Sequence, residues 1–194
     1  MRERPTARVL LFDSQQRILL MKGRLPSDPA APGVWFTIGG GVEPGETVAE
    51  AAAREIIEET GFLDATLGPV AWYSEVMLSD RVGPLLFKNH YLIAHCAGGR
   101  PSREGWRALE REFVDDMRWW RLDELAACQE PVFPADLADK IAQALLAIGS
   151  DDVHRIEANG DSSPPLRHAS NGGAARLRPR HRKEIPVQPG VISC

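Results

Sequence analysis

Apolar residues along this chain fall into two periods. Ala7 to Asp13 and Arg17 to Lys22 are runs rich in leucine and β-branched residues, separated by the polar stretch Asp13-Ser14-Gln15-Gln16, and they predict a hairpin. Gly23 to Gly33 carries Pro26, Pro29 and Pro32 with no period, which predicts a surface loop. Trp35 to Ile38 predicts a short strand running into three glycines. Val70 to Met77 and Leu85 to Ala97 predict a longer antiparallel pair, turning over Ser79-Asp80-Arg81 and Gly83-Pro84. Ala97 to Glu112 is polar, with Gly98, Gly99 and Pro101, and predicts a second long loop before an aromatic strand over Met117 to Leu122. A short helix is expected from Asp123. The helical period returns in Leu137, Ile141, Leu145 and Ile148, which share one face of a helix predicted over Ala135 to Ile148 after Pro134. Such a mixture predicts an α/β fold whose sheet is covered on both faces.

Beyond Gly149 the apolar period stops. Ser162-Ser163-Pro164-Pro165, Gly172-Gly173 and a run of basic residues from Arg176 to Lys183 predict a disordered tail over residues 158–194. A basic arm for nucleic acid is the alternative, but no aromatic or periodic residues accompany the charge.

Between the third predicted strand and the fourth stands a different kind of pattern, GGVEPGETVAEAAAREIIEETGF over Gly40 to Phe62. Gly39, Gly40 and Gly41 suit a sharply bent backbone with room for a close ligand. Glu43-Pro44-Gly45-Glu46 suits a type II turn, with proline second and glycine third. Thr47 and Glu50 have the spacing of a capping box, so a helix is predicted from Val48, and Gly61 is placed to end it. On that helix Glu55, Glu58 and Glu59 occupy i, i+3 and i+4 and share a face, while Ala49, Ala53, Ile56 and Ile57 are expected to form the buried one. Like charges so spaced cost roughly 0.2–0.5 kcal/mol per pair, and a bound divalent cation would offset that cost. Arg54, four residues from both Glu50 and Glu58, is placed to brace either carboxylate.

Composition narrows the alternatives. With 194 residues, 43% of them hydrophobic, the chain is long enough for one domain with a proper core and a modest appendage. A formal charge of -4 argues against a general nucleic-acid or membrane-surface binder. The apolar runs near Met1 are too short for a signal-peptide core or a membrane span, and a cytoplasmic location is the expectation. Cys96, Cys128 and Cys194 lack metal or disulfide spacing and read as ordinary thiols. His90 and His95 alternate with apolar residues and are given no role.

Taken whole, the segment Gly40, Glu46, then Arg54-Glu55-Ile56-Ile57-Glu58-Glu59-Thr60-Gly61-Phe62 resembles the complete signature of the Nudix hydrolase family. The resemblance covers residues 6–148 and implies a Nudix-type α/β/α sandwich with a mixed sheet. It further implies hydrolysis of a diphosphate linkage by water with magnesium or manganese, on a small nucleotide or other diphosphate substrate. Glu55, Glu58 and Glu59 are then the catalytic carboxylates and metal ligands, with the Gly39 carbonyl beside them and Arg54 in support. Glu55 is favoured as the base. Many family members add an acidic residue from a later loop; Glu110, Glu112, Asp115 and Asp116 are candidates here, and Glu112 is chosen. Ile38 stands where the family often has proline. Trp35, Trp72, Trp119 and Trp120 could stack on a base, but each sits in a strand pattern that favours core packing. A non-catalytic nucleotide sensor and an enzyme for a non-nucleotide diphosphate remain the alternatives.

Overall fold

The computed structural model describes residues 1–24, 30–80 and 82–158, so the predicted tail and part of the first proline loop lie outside the described residues. Among the described residues, seven strands form one mixed sheet: β1 (Arg2–Phe12), β2 (Ile18–Gly23), β3 (Val34–Gly41), β4 (Thr66–Asp80), β5 (Gly83–His95), β6 (Val114–Trp120) and β7 (Val132–Phe133). The described residues also form the helices α1 (Val48–Thr60), α2 (Ala108–Phe113), α3 (Leu122–Ala126) and α4 (Leu137–Ala158). No helix among the described residues is long and apolar enough to cross a membrane.

Alternation along β1 explains the layers. Ala7, Val9 and Leu11 face α1 and pack with its Ala51, Ala52 and Ile56. Leu10 and Phe12 face the other way and pack with Leu125 of α3 and Leu137 and Ile141 of α4. A period of two thus sends one strand's side chains into two cores. β1 lies parallel to β5 from Arg2 to Phe12, which makes the sheet mixed.

The predicted hairpin needs correction. Asp13 does close its turn, accepting from the backbone N–H of Gln15 at 2.9 Å and of Arg17 at 2.8 Å. Past the turn, however, β1 and β2 keep only the pair Phe12↔Ile18. The strands then splay, and β3 pairs with both, through Ile38 to Gly41 on β1 and through Val34 to Thr37 on β2. Other bounds shift as well. The β4–β5 pair is longer than predicted, the aromatic strand begins at Val114 rather than Met117, and α2 forms inside the predicted loop. α4 also continues past Gly149 to Ala158. The four tryptophans pack as expected: Trp35 and Trp120 meet edge to face at 5.0 Å, Trp72 stacks on Tyr91 at 4.4 Å, and Trp119 lies 6.0 Å from Phe62.

Candidate active site

The three glycines are strand residues rather than a loop. Gly40 and Gly41 pair with Ala7 and Thr6, and only Gly39 has a positive φ, 136°. Space is the stronger reason for them. A Cβ on Gly39 would strike the Ala7 carbonyl oxygen, and one on Gly40 would strike the Glu55 carboxylate. The sheet therefore offers α1 a strip of bare backbone, into which carboxylates can fit.

The following turn and helix form as the local signals require. Gly45 has φ 82°, and the Glu46 N–H donates to the Glu43 carbonyl at 3.0 Å. Thr47 Oγ1 accepts from the Glu50 N–H, the Glu50 carboxylate accepts from the Thr47 N–H at 2.8 Å, and Gly61 ends α1 at φ 74°. Its buried face, though, is not the predicted one. Ala51, Ala52, Glu55, Ile56, Glu59 and Thr60 are buried, whereas Ala49 and Ile57 are exposed and Ala53 half-buried. Glu55 and Glu59 are each only 5% exposed, because the helix presses them against Gly39 and Gly40.

Burial sets the electrostatics. It raises the pKa of Glu55, an effect that the neighbouring Arg54 charge opposes. Glu59 is pushed well above the ordinary carboxylate range, first by burial and then by the charge of Glu55, although its Oε2 accepts from the Gly39 N–H at 2.8 Å. Arg54 reaches Glu58, one of the two carboxylates expected, and braces further groups besides. Its Nε and Nη2 bind the Glu46 carboxylate at 2.9 and 3.0 Å, Nη2 also donates to the Gly41 carbonyl at 2.9 Å, and Nη1 bonds Glu55 and reaches Glu58 at 3.4 Å. Glu50 is engaged in the cap instead. Burial works against the Arg54 charge, but Glu46 and Glu55 raise its pKa overall.

Beyond Glu110, already among the later acidic candidates, residues that the sequence pattern did not single out complete the site. The chain from Ser102 to Arg107 docks on the last turn of α1, where helical carbonyls lack intrahelical partners. Ser102 N–H donates to the Thr60 carbonyl and Trp106 Nε1 to the Glu59 carbonyl, each at 2.7 Å. Arg107 Nη2 then reaches Glu58 Oε2 at 2.7 Å and Glu43 Oε1 at 4.0 Å. Glu110 is 7% exposed, accepts from the Arg107 N–H at 2.6 Å, and lies close enough for its charge to help raise the Glu59 pKa. Glu112, on the same short helix, is exposed, as are Asp115 and Asp116. A lone tryptophan in a polar loop was the one available signal for this segment.

Among the described residues, no three His, Cys, Asp or Glu side chains converge as a metal site requires. Glu55 and Glu58 turn toward Arg54 and Arg107, and Glu59 toward the Gly39 N–H. In kind and charge the set nevertheless suits a hard divalent cation: three carboxylates within two turns, two of them buried, with guanidinium groups supplying the positive charge.

Fold and site together define a class. The chain belongs to the Nudix hydrolase family, whose NUDIX domain matches residues 2–142. It is 31% identical over 110 residues to a Bacillus subtilis (strain 168) protein described as a candidate 8-oxo-dGTP diphosphatase, covering 57% of this chain and 64% of that one. It is 28% identical over 162 residues to an RNA pyrophosphohydrolase of Wolbachia pipientis subsp. Culex pipiens (strain wPip), covering 78% of this chain and 94% of that one. The MutT protein of Methanosarcina mazei Go1 shares the fold, with a TM-score of 0.55 at 20% identity over 74% of this chain and 93% of that one.

Proposed function

We propose that the protein is a magnesium- or manganese-dependent pyrophosphohydrolase that breaks a phosphoanhydride bond in a nucleotide. One observation carries the reading: two carboxylates, Glu55 and Glu59, are buried against the bare Gly39–Gly40 backbone in a site otherwise held by arginines. A purely structural helix gains nothing from burying two acids there, since removal from water opposes their charged form. Glu55, Glu58 and Glu59 with the Gly39 carbonyl would hold the cation, which neutralises phosphate charge and acidifies a water. Glu55 takes the proton from the attacking water. Arg54 keeps Glu55 in place while tying it to Glu46 and Gly41, and Glu110 supplies the further acid in place of the exposed Glu112. The names of the two relatives, with 8-oxo-dGTP in one and RNA in the other, point to nucleotides as substrates.

A screen of nucleoside triphosphates, nucleoside diphosphate derivatives and triphosphate-ended RNA tests this, scored for pyrophosphate, phosphate and nucleotide with and without magnesium. Cation-dependent cleavage between phosphorus atoms is expected. Release only from a non-nucleotide diphosphate, or turnover unaffected by chelation, would overturn the proposal.

A further inference from the structure

Two arginines serve the same carboxylates but are held in opposite ways. Arg54 is 18% exposed and is fastened by Glu46 and by the Gly41 carbonyl as well as by Glu55. Arg107 is 39% exposed and reaches the site through Glu58 at 2.7 Å and, loosely, Glu43 at 4.0 Å. Its backbone is nonetheless fixed. The Arg107 N–H is bonded to Glu110, and the preceding Trp106 is anchored to the Glu59 carbonyl and is 5% exposed. A Cβ on Gly105 would run into the Glu58 carbonyl oxygen, so the chain passes tightly against α1 just before Arg107. The guanidinium thus stands on an anchored backbone beside Glu58, the least buried of Glu55, Glu58 and Glu59, whose side chain is 27% exposed.

We propose that Arg107 is an exchangeable counter-ion that becomes a substrate ligand: it holds Glu58 while the site lacks a divalent cation, and turns to the phosphate oxygens of the substrate once a cation takes Glu58. This rests on the metal-dependent reading above. A divalent ion at Glu58 repels both guanidinium groups that already contact its Oε2, and the one free to move is displaced. Arg54 is fastened on three sides; Arg107 is not. A displaced guanidinium carries a planar fork of donors suited to phosphate, and Arg107, the more exposed of the two arginines, can present it to a diphosphate bound beside Glu58. Arg107 therefore opposes the metal and favours the substrate, two effects of opposite sign from one side chain.

The test uses the full chain, with Mn2+ as one probe and imidodiphosphate, a diphosphate that the enzyme cannot hydrolyse, as the other. Free Mn2+ is followed by electron paramagnetic resonance, and imidodiphosphate binding by calorimetry at saturating Mn2+. Arg107→Gln is expected to bind Mn2+ about three- to tenfold more tightly than wild type, yet imidodiphosphate at least about tenfold more weakly. Arg107→Lys should restore part of both. If both affinities stay unchanged, Arg107 is only a surface ion pair; if both fall together, it only props up the site. Either result overturns the proposal. Should both shifts appear in a protein that hydrolyses no nucleotide, the proposed function fails and the counter-ion exchange stands.

Discussion

The two faces of the sheet bury side chains on different terms. Toward α4 the interior is apolar: Leu10, Phe12, Ile18, Leu20 and Trp35 from the strands meet Leu137 and Ile141, which are fully buried. Toward α1 the same strands also contribute aliphatic residues, but the helix brings Glu55 and Glu59 down with Ile56, and Glu110 closes in from α2. The first face gains stability from the apolar surface that it removes from water. The second gives some of that gain up, because it confines acids whose charged forms burial disfavours. On the proposed reading the first face holds the stability and the second the chemistry, and each should be open to disturbance without the other.

The largest effect should come from the α4 face. Leu137→Ala leaves a cavity among well-packed neighbours and should lower unfolding free energy by about 2–5 kcal/mol, read from denaturant melts. At a temperature where the variant stays folded, its hydrolysis rate should remain near that of wild type. A loss of activity in the folded variant would show that the two faces are coupled.

Next in size is Glu59→Gln. The amide can still accept from the Gly39 N–H, so the fold should persist, while turnover should drop at least about a hundredfold, equivalent to about 2.7 kcal/mol. Near-normal metal-dependent hydrolysis by the folded variant would dismiss the α1 face as the catalytic one.

The same substitution should change how stability depends on pH. Burial, and then the charge of Glu55, hold the Glu59 pKa well above its ordinary 4.5, so the native metal-free protein retains a proton that the unfolded chain has released. Folding takes up that proton, and stability must fall as pH rises from the unfolded value toward the folded one, the loss being complete above the latter. Melting temperatures of metal-free protein from about pH 4.5 to about pH 8 should decline less steeply for Glu59→Gln than for wild type. Parallel curves would mean that Glu59 is not the group responsible.

The smallest effect is expected from Glu112→Ala. Glu112 is exposed, so both stability and turnover should stay close to wild type, stability within about 0.5 kcal/mol. Glu110→Ala, at a buried position bonded to the Arg107 N–H, should disturb both. The reverse order would return the further acidic role to Glu112.

What the sequence by itself determined lies within a few residues along the chain. The turn at Gly45, the Thr47 and Glu50 cap, the stop at Gly61 and the shared face of Glu55, Glu58 and Glu59 all follow from spacings of five residues or fewer, because a hydrogen-bonded turn fixes its own geometry. The heptad-like face of Leu137 and Ile141 was legible for the same reason. The tertiary structure decided everything that depended on a distant partner. It placed β3 between two strands that read as a hairpin, and it buried the carboxylate face of α1 rather than its Ala49 and Ile57. It also brought Trp106, Arg107 and Glu110 onto the end of that helix. Local pattern marks acids as surface residues, since water is where an isolated charge is most stable. Only the fold reveals that Gly40 on a neighbouring strand leaves the hollow into which the Glu55 carboxylate descends, and that the Gly39 N–H receives Glu59.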